Sequence, residues 1–381
     1  MEAYLDNAAT TKVCSDAAEA AIAVMTEGYG NSSSTHAFGR LAAKQLEAAR
    51  NQVAKALGGG ANEIFFTSGG TESINWALLS GASLNKRHGM HIISSLAEHS
   101  AGLRSLDELE KRDFSVTRLK PERDGSISAK AVSEALREDT ILVSLMLVNN
   151  ETGAITDIPA ISKLLKNSGS HALFHCDAVQ GFLKIPFTAE SFGPDLISIS
   201  GHKIHAPKGV GALYIRGGEK KIRLAPLLHG GMQEGGRRAG TQALSSIAAF
   251  GVAAEIGKAS LEKNVHKMQE LKNQIITRLT AEIPNIQILS GEAPHIISLS
   301  LPHYKSEVLM NYLESHGIYV SKSSACKKGG RSYVLEAAGH SPAVIDGALR
   351  IGLSRYTSHY EAEFFCTALR EASESLYPSL R

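Results

Sequence analysis

The stretch Asp195-Leu196-Ile197-Ser198-Ile199-Ser200-Gly201-His202-Lys203 reads as a buried strand ending in a small-residue turn and a lysine. An ammonium is costly at the end of such a strand unless something there uses it. Twenty-six residues upstream, Asp177 closes a second apolar run, Ala172-Leu173-Phe174-His175-Cys176. A lysine and an aspartate at the edges of neighbouring strands suit pyridoxal phosphate. The lysine holds the aldehyde as a Schiff base, and the aspartate keeps the ring nitrogen protonated.

Outward from this pair, strands alternate with helical stretches. Glu63–Thr67, His91–Ser94, Ile141–Val148 and Gly211–Ile215 read as further strands. Helices are expected from about Glu72 to Leu84 and near 97–111, 129–137 and 157–168. The alternation predicts an α/β domain with a mainly parallel sheet. In such sheets functional residues gather at the carboxyl ends of strands. Here those ends carry Thr67-Ser68-Gly69-Gly70-Thr71, Asn149-Asn150-Glu151, Asp177 and Ser200 to Lys203. From Ser245 to Ile283 a single long helical stretch is expected to bridge to a second, smaller domain. Strands at Ile296–Leu301 and Ile318–Val320 and helices near 305–316 and 341–349 are expected there.

The chain has 381 residues, enough for a large domain and a smaller one. With 43% hydrophobic and 20% charged residues, disorder is not expected. A net charge of +2 lacks the basic excess of a dedicated nucleic-acid binder. No secretory signal or transmembrane run is visible, and Cys14, Cys176, Cys326 and Cys366 form no CxxC pair. That pattern points to a reducing cytoplasm.

Each constellation has a bland alternative. The turn Gly69-Gly70-Thr71 before a helix is a place for a phosphate, or an ordinary turn capped by Thr71. His99 can stack on a flat ring and move protons, or be a surface histidine. Gln180, one turn after Asp177, can donate to a phenolic oxygen, or face solvent. His202 and His205 form an HxxH pair without a third ligand at a suggestive spacing, so no metal is expected. The glycine-rich run His229 to Thr241 is a surface loop, or packs against a ligand or second subunit. Cys326, in Ser324-Ala325-Cys326-Lys327-Lys328-Gly329-Gly330, has basic neighbours that favour its thiolate. Cys176 and Cys366 sit in apolar runs and read as core. Arg350 interrupts an apolar run and needs an anion, either a substrate carboxylate or a structural Asp or Glu.

Taken in order, these runs resemble the cysteine desulfurases of the NifS/IscS type, within the class V aminotransferase-like pyridoxal-phosphate enzymes. Tyr4-Leu5-Asp6-Asn7-Ala8-Ala9-Thr10-Thr11, Tyr29 to His36, Val148-Asn149-Asn150-Glu151-Thr152-Gly153 and the runs above carry the resemblance along nearly the whole chain. It implies the fold type I of pyridoxal-phosphate transferases. A large domain (14–258) would hold a mainly parallel seven-stranded sheet. Residues 1–13 and 259–381 would form a smaller α+β domain. It also implies that Lys203 anchors the cofactor, Asp177 pairs with the ring nitrogen, Gln180 contacts the phenolic oxygen, and His99 stacks and serves as acid–base. Gly70, Thr71, Ser200 and His202 would hold the phosphate, and Thr241 would reach the phosphate of the partner in a homodimer. Asn150 and Arg350 would bind the carboxylate of L-cysteine. Cys326 would attack the substrate sulfur and carry the persulfide to an acceptor, such as an iron–sulfur scaffold or a tRNA-thiolation protein.

One departure stands out. Only Lys327 to Arg331 separate Cys326 from Ser332-Tyr333-Val334-Leu335, a loop about two residues shorter and more basic than the IscS type. Selenocysteine lyase or another class V activity is the alternative enzyme reading. A non-catalytic scaffold for iron–sulfur assembly is the alternative outside catalysis.

Overall fold

The computed structural model describes residues 2–322 and 330–376. Seven strands build the central sheet: β1 (Ile64–Thr67), β2 (His91–Ser95), β3 (Ser115–Leu119), β4 (Thr140–Met146), β5 (Leu173–Asp177), β6 (Leu196–Ser200) and β7 (Gly211–Ile215). Their order is β1-β7-β6-β5-β4-β2-β3. Only β7 runs against its neighbours. The mainly parallel α/β sheet expected from the alternation is therefore present. Six of its strands coincide with expected runs to within two residues. The seventh, β3, has the mixed sequence Ser-Val-Thr-Arg-Leu and lies at the sheet edge, half open to solvent, so no apolar run marks it.

Both faces of the sheet are covered, which is why the inner strands read as continuous apolar runs. On β6, Ile197 and Ile199 pack with Val53, Phe174 and Phe250 on one side. Leu196 packs with Trp76, Leu106 and Leu213 on the other. A polar seam crosses the same strands. His175 bridges Ser144 Oγ (2.8 Å) and Ser198 Oγ (2.9 Å), and Ser94 Oγ donates to the Ser144 carbonyl (2.8 Å). Burial pushes the imidazole of His175 down to about 3, so it is a neutral structural link between strands.

The long helical stretch after Ser245 is two helices, Leu244–Ala259 and Leu261–Glu282, bent by 73°. At the break the Ser260 hydroxyl donates to the Ile256 carbonyl (2.8 Å), and Ser260 leaves helical geometry (φ −111°, ψ 11°). Apolar periodicity continues through the bend, which is why the sequence reads as one helix. Among the described residues no single helix is long and apolar enough to cross a membrane. Beyond the bend a second core gathers Leu271, Ile275, Leu299, Leu309, Leu349 and Phe365, and Ala3 and Leu5 join it from the start of the chain. A four-stranded sheet lies there: β8 (Gln287–Ile288), β9 (Ile296–Ser300), β10 (Ser321–Lys322) and β11 (Ala348–Gly352), in the order β10-β11-β9-β8. The helix expected over 341–349 is only Pro342–Asp346. Gly347 ends it, and β11 follows, placing Arg350 on a buried strand.

Candidate active site

The carboxyl ends of β1, β2, β4, β5 and β6 open into one cavity of about 310 Å³. Its walls include Gly70, Thr71, His99, Asn150, Asp177, Gln180, Ser200, His202, Lys203 and Arg350. Ten residues singled out in the sequence, spread over 281 positions, thus meet in one place. Thr241 does not join them; it is exposed. Cys326 lies outside the described residues.

Lys203 follows β6 in a short 3-10 turn, Gly201–Lys203. Its Nζ donates to the carbonyls of Ala8 (2.7 Å) and Ala9 (2.6 Å). Burial, with Arg350 as a second cause, pushes its pKa down to about 8. Asp177 ends β5 and is 4% exposed. Its Oδ1 accepts from the Val179 N–H (3.0 Å). Burial raises its pKa, against the pull of His99, Val179 and Lys203. Gln180 is equally buried, and its Nε2 donates to the Ala8 carbonyl (2.9 Å), so it does not face solvent.

His99 caps the helix Ser100–Glu110, its Nδ1 accepting from the Ala101 N–H (3.1 Å). The proton of the neutral ring therefore sits on Nε2. Burial lowers its pKa against the opposing pull of Asp177, with Lys203 acting in the same direction as burial. His202 Nδ1 pairs with Thr10 Oγ1 (3.2 Å), and burial pushes this ring down to about 4. His205 turns away, its Nδ1 donating to the Lys12 carbonyl (2.8 Å). The HxxH pair is thus split, and among the described residues no group of three His, Cys, Asp or Glu side chains could hold a metal.

The helix after β1 starts at Gly70, two residues earlier than the periodicity suggests. Its cap is Gly69, not Thr71, with φ +154° and ψ −176°, a region essentially restricted to glycine. The first-turn N–H groups of Gly70 and Thr71 therefore lie at the cavity, where helix geometry leaves them without intrahelical acceptors.

The loop 229–241 is tied down at two points. Glu234 is buried against Arg50 (2.7 Å) and accepts from the Phe66 N–H (3.0 Å). Arg238 pairs with Glu72 (2.9 Å) in the helix that begins at Gly70.

Sequence reading assigned no site role to seven members of the wall: Ala8 and Ala9, which act through backbone carbonyls, and Ile74, Met146, Glu151, Val179 and Tyr333. Glu151 is 2% exposed, accepts from the Ser332 hydroxyl, and is pushed up to about 7 by burial. Only its place directly after Asn150 hinted at a role.

A family model described as aminotransferase class V matches residues 3–365. The chain belongs to the class V aminotransferase family. It is 38% identical to "Cysteine desulfurase IscS" of Dictyoglomus turgidum, over 98% of this chain and 95% of that protein. It is 39% identical to "Cysteine desulfurase" of Nostoc sp., over 98% and 93%. Among solved structures, a NifS-like protein superposes with a TM-score of 0.92 at 36% identity, covering 99% of this chain and all of that one. Another, entitled "SspA in complex with cysteine", gives 0.80 at 30% identity over 93% of this chain and all of its own.

Pyridoxal phosphate is the cofactor of this family, and the cavity has the groups to take it. Ser200 Oγ, Asn150 Oδ1 and Arg350 Nε are buried without a hydrogen-bond partner among the described residues. Leaving such atoms unpaired costs about 1–3 kcal/mol each, so a polar ligand is expected to satisfy them. Ser200 stands beside the helix start at Gly69 and Gly70, the donor set an anionic group needs. The buried carboxyl of Asp177 suits a cationic ring nitrogen, and the partly neutral Lys203 amine suits an aldehyde.

Proposed function

We propose that the protein is a cysteine desulfurase, which converts L-cysteine to L-alanine and carries the sulfur as a persulfide on Cys326. One observation supports this above all. Lys203, Asp177 and His99 share a cavity with a helix-start anion cradle, with Asn150 and with the unpaired Nε of Arg350. The naming of the full-length relatives points the same way.

When bound, pyridoxal phosphate supplies an electron sink for the pair left at the substrate Cα. Gly70, Thr71, Ser200 and His202 hold the phosphate, Asp177 the ring nitrogen, Gln180 the phenolic oxygen, and His99 the ring face. Lys203 anchors the cofactor and, with a pKa near 8, takes and returns protons near neutral pH. The guanidinium of Arg350 and the side-chain amide N–H of Asn150 bind the substrate carboxylate. Arg350 already donates to Asp6 (3.0 Å) and to the Asn150 carbonyl (2.9 Å), which fixes its guanidinium and leaves Nε for substrate.

The Cys326 thiolate attacks the substrate sulfur. An S–S bond forms, the substrate C–S bond breaks, and its electron pair stays with the carbon skeleton that becomes alanine. Cys14, Cys176 and Cys366 are buried, and burial raises the thiol pKa of the last two. They are poor rivals for the role. The exposed Thr241, with exposed Met25, Tyr29, Phe38, Leu41 and Met232, supports a homodimer in which Thr241 reaches the partner's phosphate. The persulfide then passes to an acceptor thiol on an iron–sulfur scaffold or a tRNA-thiolation protein.

The test is alanine and sulfide release from L-cysteine with a reductant. Wild-type protein is expected to release both in equal amounts, and Cys326→Ala neither. Full sulfide release by Cys326→Ala would overturn the persulfide role.

A further inference from the structure

Ser332 and Tyr333 begin the helix Tyr333–Ala337, six and seven positions after Cys326. Ser332 Oγ accepts from the Leu335 N–H (3.1 Å) as helix cap and donates to the buried carboxylate of Glu151. Tyr333 OH donates to the backbone carbonyl of Glu98 (2.7 Å), the residue before His99. Both acceptors belong to strand-end loops of the large sheet, whereas helix Tyr333–Ala337 lies between β10 and β11 of the small one.

The acceptors are themselves locked. Glu98 Oε1 accepts from Ser95 Oγ (2.6 Å) and the Met146 N–H (3.2 Å). Asn149 accepts from the Glu151 N–H (2.9 Å) and donates to the Ala97 carbonyl (3.0 Å), lacing the loop after β4 to the loop after β2. One residue before Ser332, Arg331 pairs with Asp346 (2.7 Å). Ser332 therefore joins a fixed frame that also carries His99 and Asn150.

We propose that Ser332 and Tyr333, through Glu151 and the Glu98 carbonyl, anchor the chain leaving Cys326 to the wall of the active site. They act as positioning residues for the sulfur-transfer step, not for proton removal at Cα. The proposal rests on the persulfide role of Cys326. Six residues of chain span at most about 20 Å, so moving the anchor moves the whole range open to the thiol. The shortened segment between Cys326 and Ser332 makes the attachment point weigh more, because less chain is available to absorb an error.

The test uses the holoenzyme and three variants. Ser332→Ala removes the tie and the cap. Ser332→Gly removes the tie but keeps most of the capping preference. Ser332→Thr keeps the hydroxyl. Exchange of the α-hydrogen of L-alanine with deuterated water, followed by NMR, needs the cofactor site but no thiol. Sulfide release from L-cysteine needs both. In Ser332→Ala and Ser332→Gly, sulfide release is expected to fall about 10- to 100-fold, as ångström-scale misplacement can produce. Exchange should stay near the wild-type rate, and alkylation of Cys326, followed by mass spectrometry, should change rate. Ser332→Thr should keep all three near wild type. Equal losses in exchange and sulfide release, or no loss of sulfide release, would overturn the anchor. Cys326→Ala run alongside separates the two ideas. If it keeps sulfide release, the persulfide reading has failed. If it loses release while Ser332→Ala and Ser332→Gly match wild type, only the anchor has failed.

Discussion

Lys203 Nζ lies 2.7 Å from the carbonyl oxygen of Ala8, a residue 195 positions earlier in the chain. Gln180 donates to the same oxygen at 2.9 Å. The first strand-like segment, Ala3–Tyr4, pairs with Ile318–Tyr319, and Asn7 Nδ2 donates to the Gly352 carbonyl (3.0 Å). This stretch is thus held by a separate two-stranded pair at Ala3–Tyr4 and by β11 of the small sheet at Gly352, while its carbonyls hold the lysine of the large one. Two neutral carbonyls stabilise an ammonium less than a carboxylate would, so burial prevails and the lysine pKa falls to about 8.

Cofactor uptake by apoprotein should follow that value. The neutral amine attacks an aldehyde, and a lowered pKa makes it available at lower pH. The uptake rate, read from the rise in visible absorbance, is expected to climb between about pH 7 and 9 and then level off. A rise that continues to about pH 10.4, the value of an unperturbed lysine, would contradict it. Lys203→Ala should show no borohydride-fixed cofactor.

Ser200→Ala should separate binding from folding. Its hydroxyl is buried and unpaired in the protein itself, so thermal stability of the apoprotein should be unchanged or slightly higher. Cofactor release should become about 10- to 100-fold faster, from the loss of a hydrogen bond to a charged group worth about 1.5–3 kcal/mol. Equilibrium dialysis and a melting curve check both halves.

Gly211→Ala acts through the backbone. A Cβ there would lie 2.6 Å from the Ile199 carbonyl oxygen and 2.8 Å from Gly69 Cα. Neither neighbour is a flexible side-chain end. The strain, about 1–3 kcal/mol, falls on the turn that starts the anion-binding helix. Lower stability together with weaker cofactor retention is expected, measured by denaturant melts with and without pyridoxal phosphate. Unchanged retention would show that the turn tolerates the shift.

The pair Arg350–Asp6 should respond asymmetrically. The Arg350 side chain is 3% exposed and that of Asp6 21%. Asp6→Ala leaves a buried guanidinium short of its counter-charge and should cost about 3–5 kcal/mol. Arg350→Met leaves a carboxylate that water can reach and should cost less, while raising KM for L-cysteine far more than it lowers stability. Urea melts and steady-state kinetics on both variants test the order.

Much of the architecture is legible in residue types, because burial on two faces imposes long apolar runs and helices impose a 3.6-residue period. That logic locates six of the seven sheet strands and places Asp177 and Lys203 at strand ends. It passes over β3, an edge strand of mixed sequence in which Ser115 is exposed and Val116, Thr117 and Arg118 are only half-buried. It also joins the two helices at Ser260, since apolar spacing carries no record of a bend.

The chemistry-bearing side chains were marked in the chain by their types: a lysine and an aspartate after apolar runs, a glycine turn before a helix, an arginine within a strand. Their convergence on one cavity, and the company they keep there, were set by folding. Ala8 and Ala9 enter the site through carbonyl groups that every residue possesses, so no letter in the chain announces them. Asp6 rather than Asp157 or Asp195 meets Arg350 because the start of the chain is paired to the small sheet. Glu151 becomes a buried anchor for Ser332, 181 positions away, only because a strand-end loop and the start of a helix are packed face to face. Residue type fixes which charges and donors exist; long-range packing fixes their partners, their desolvation and hence their pKa.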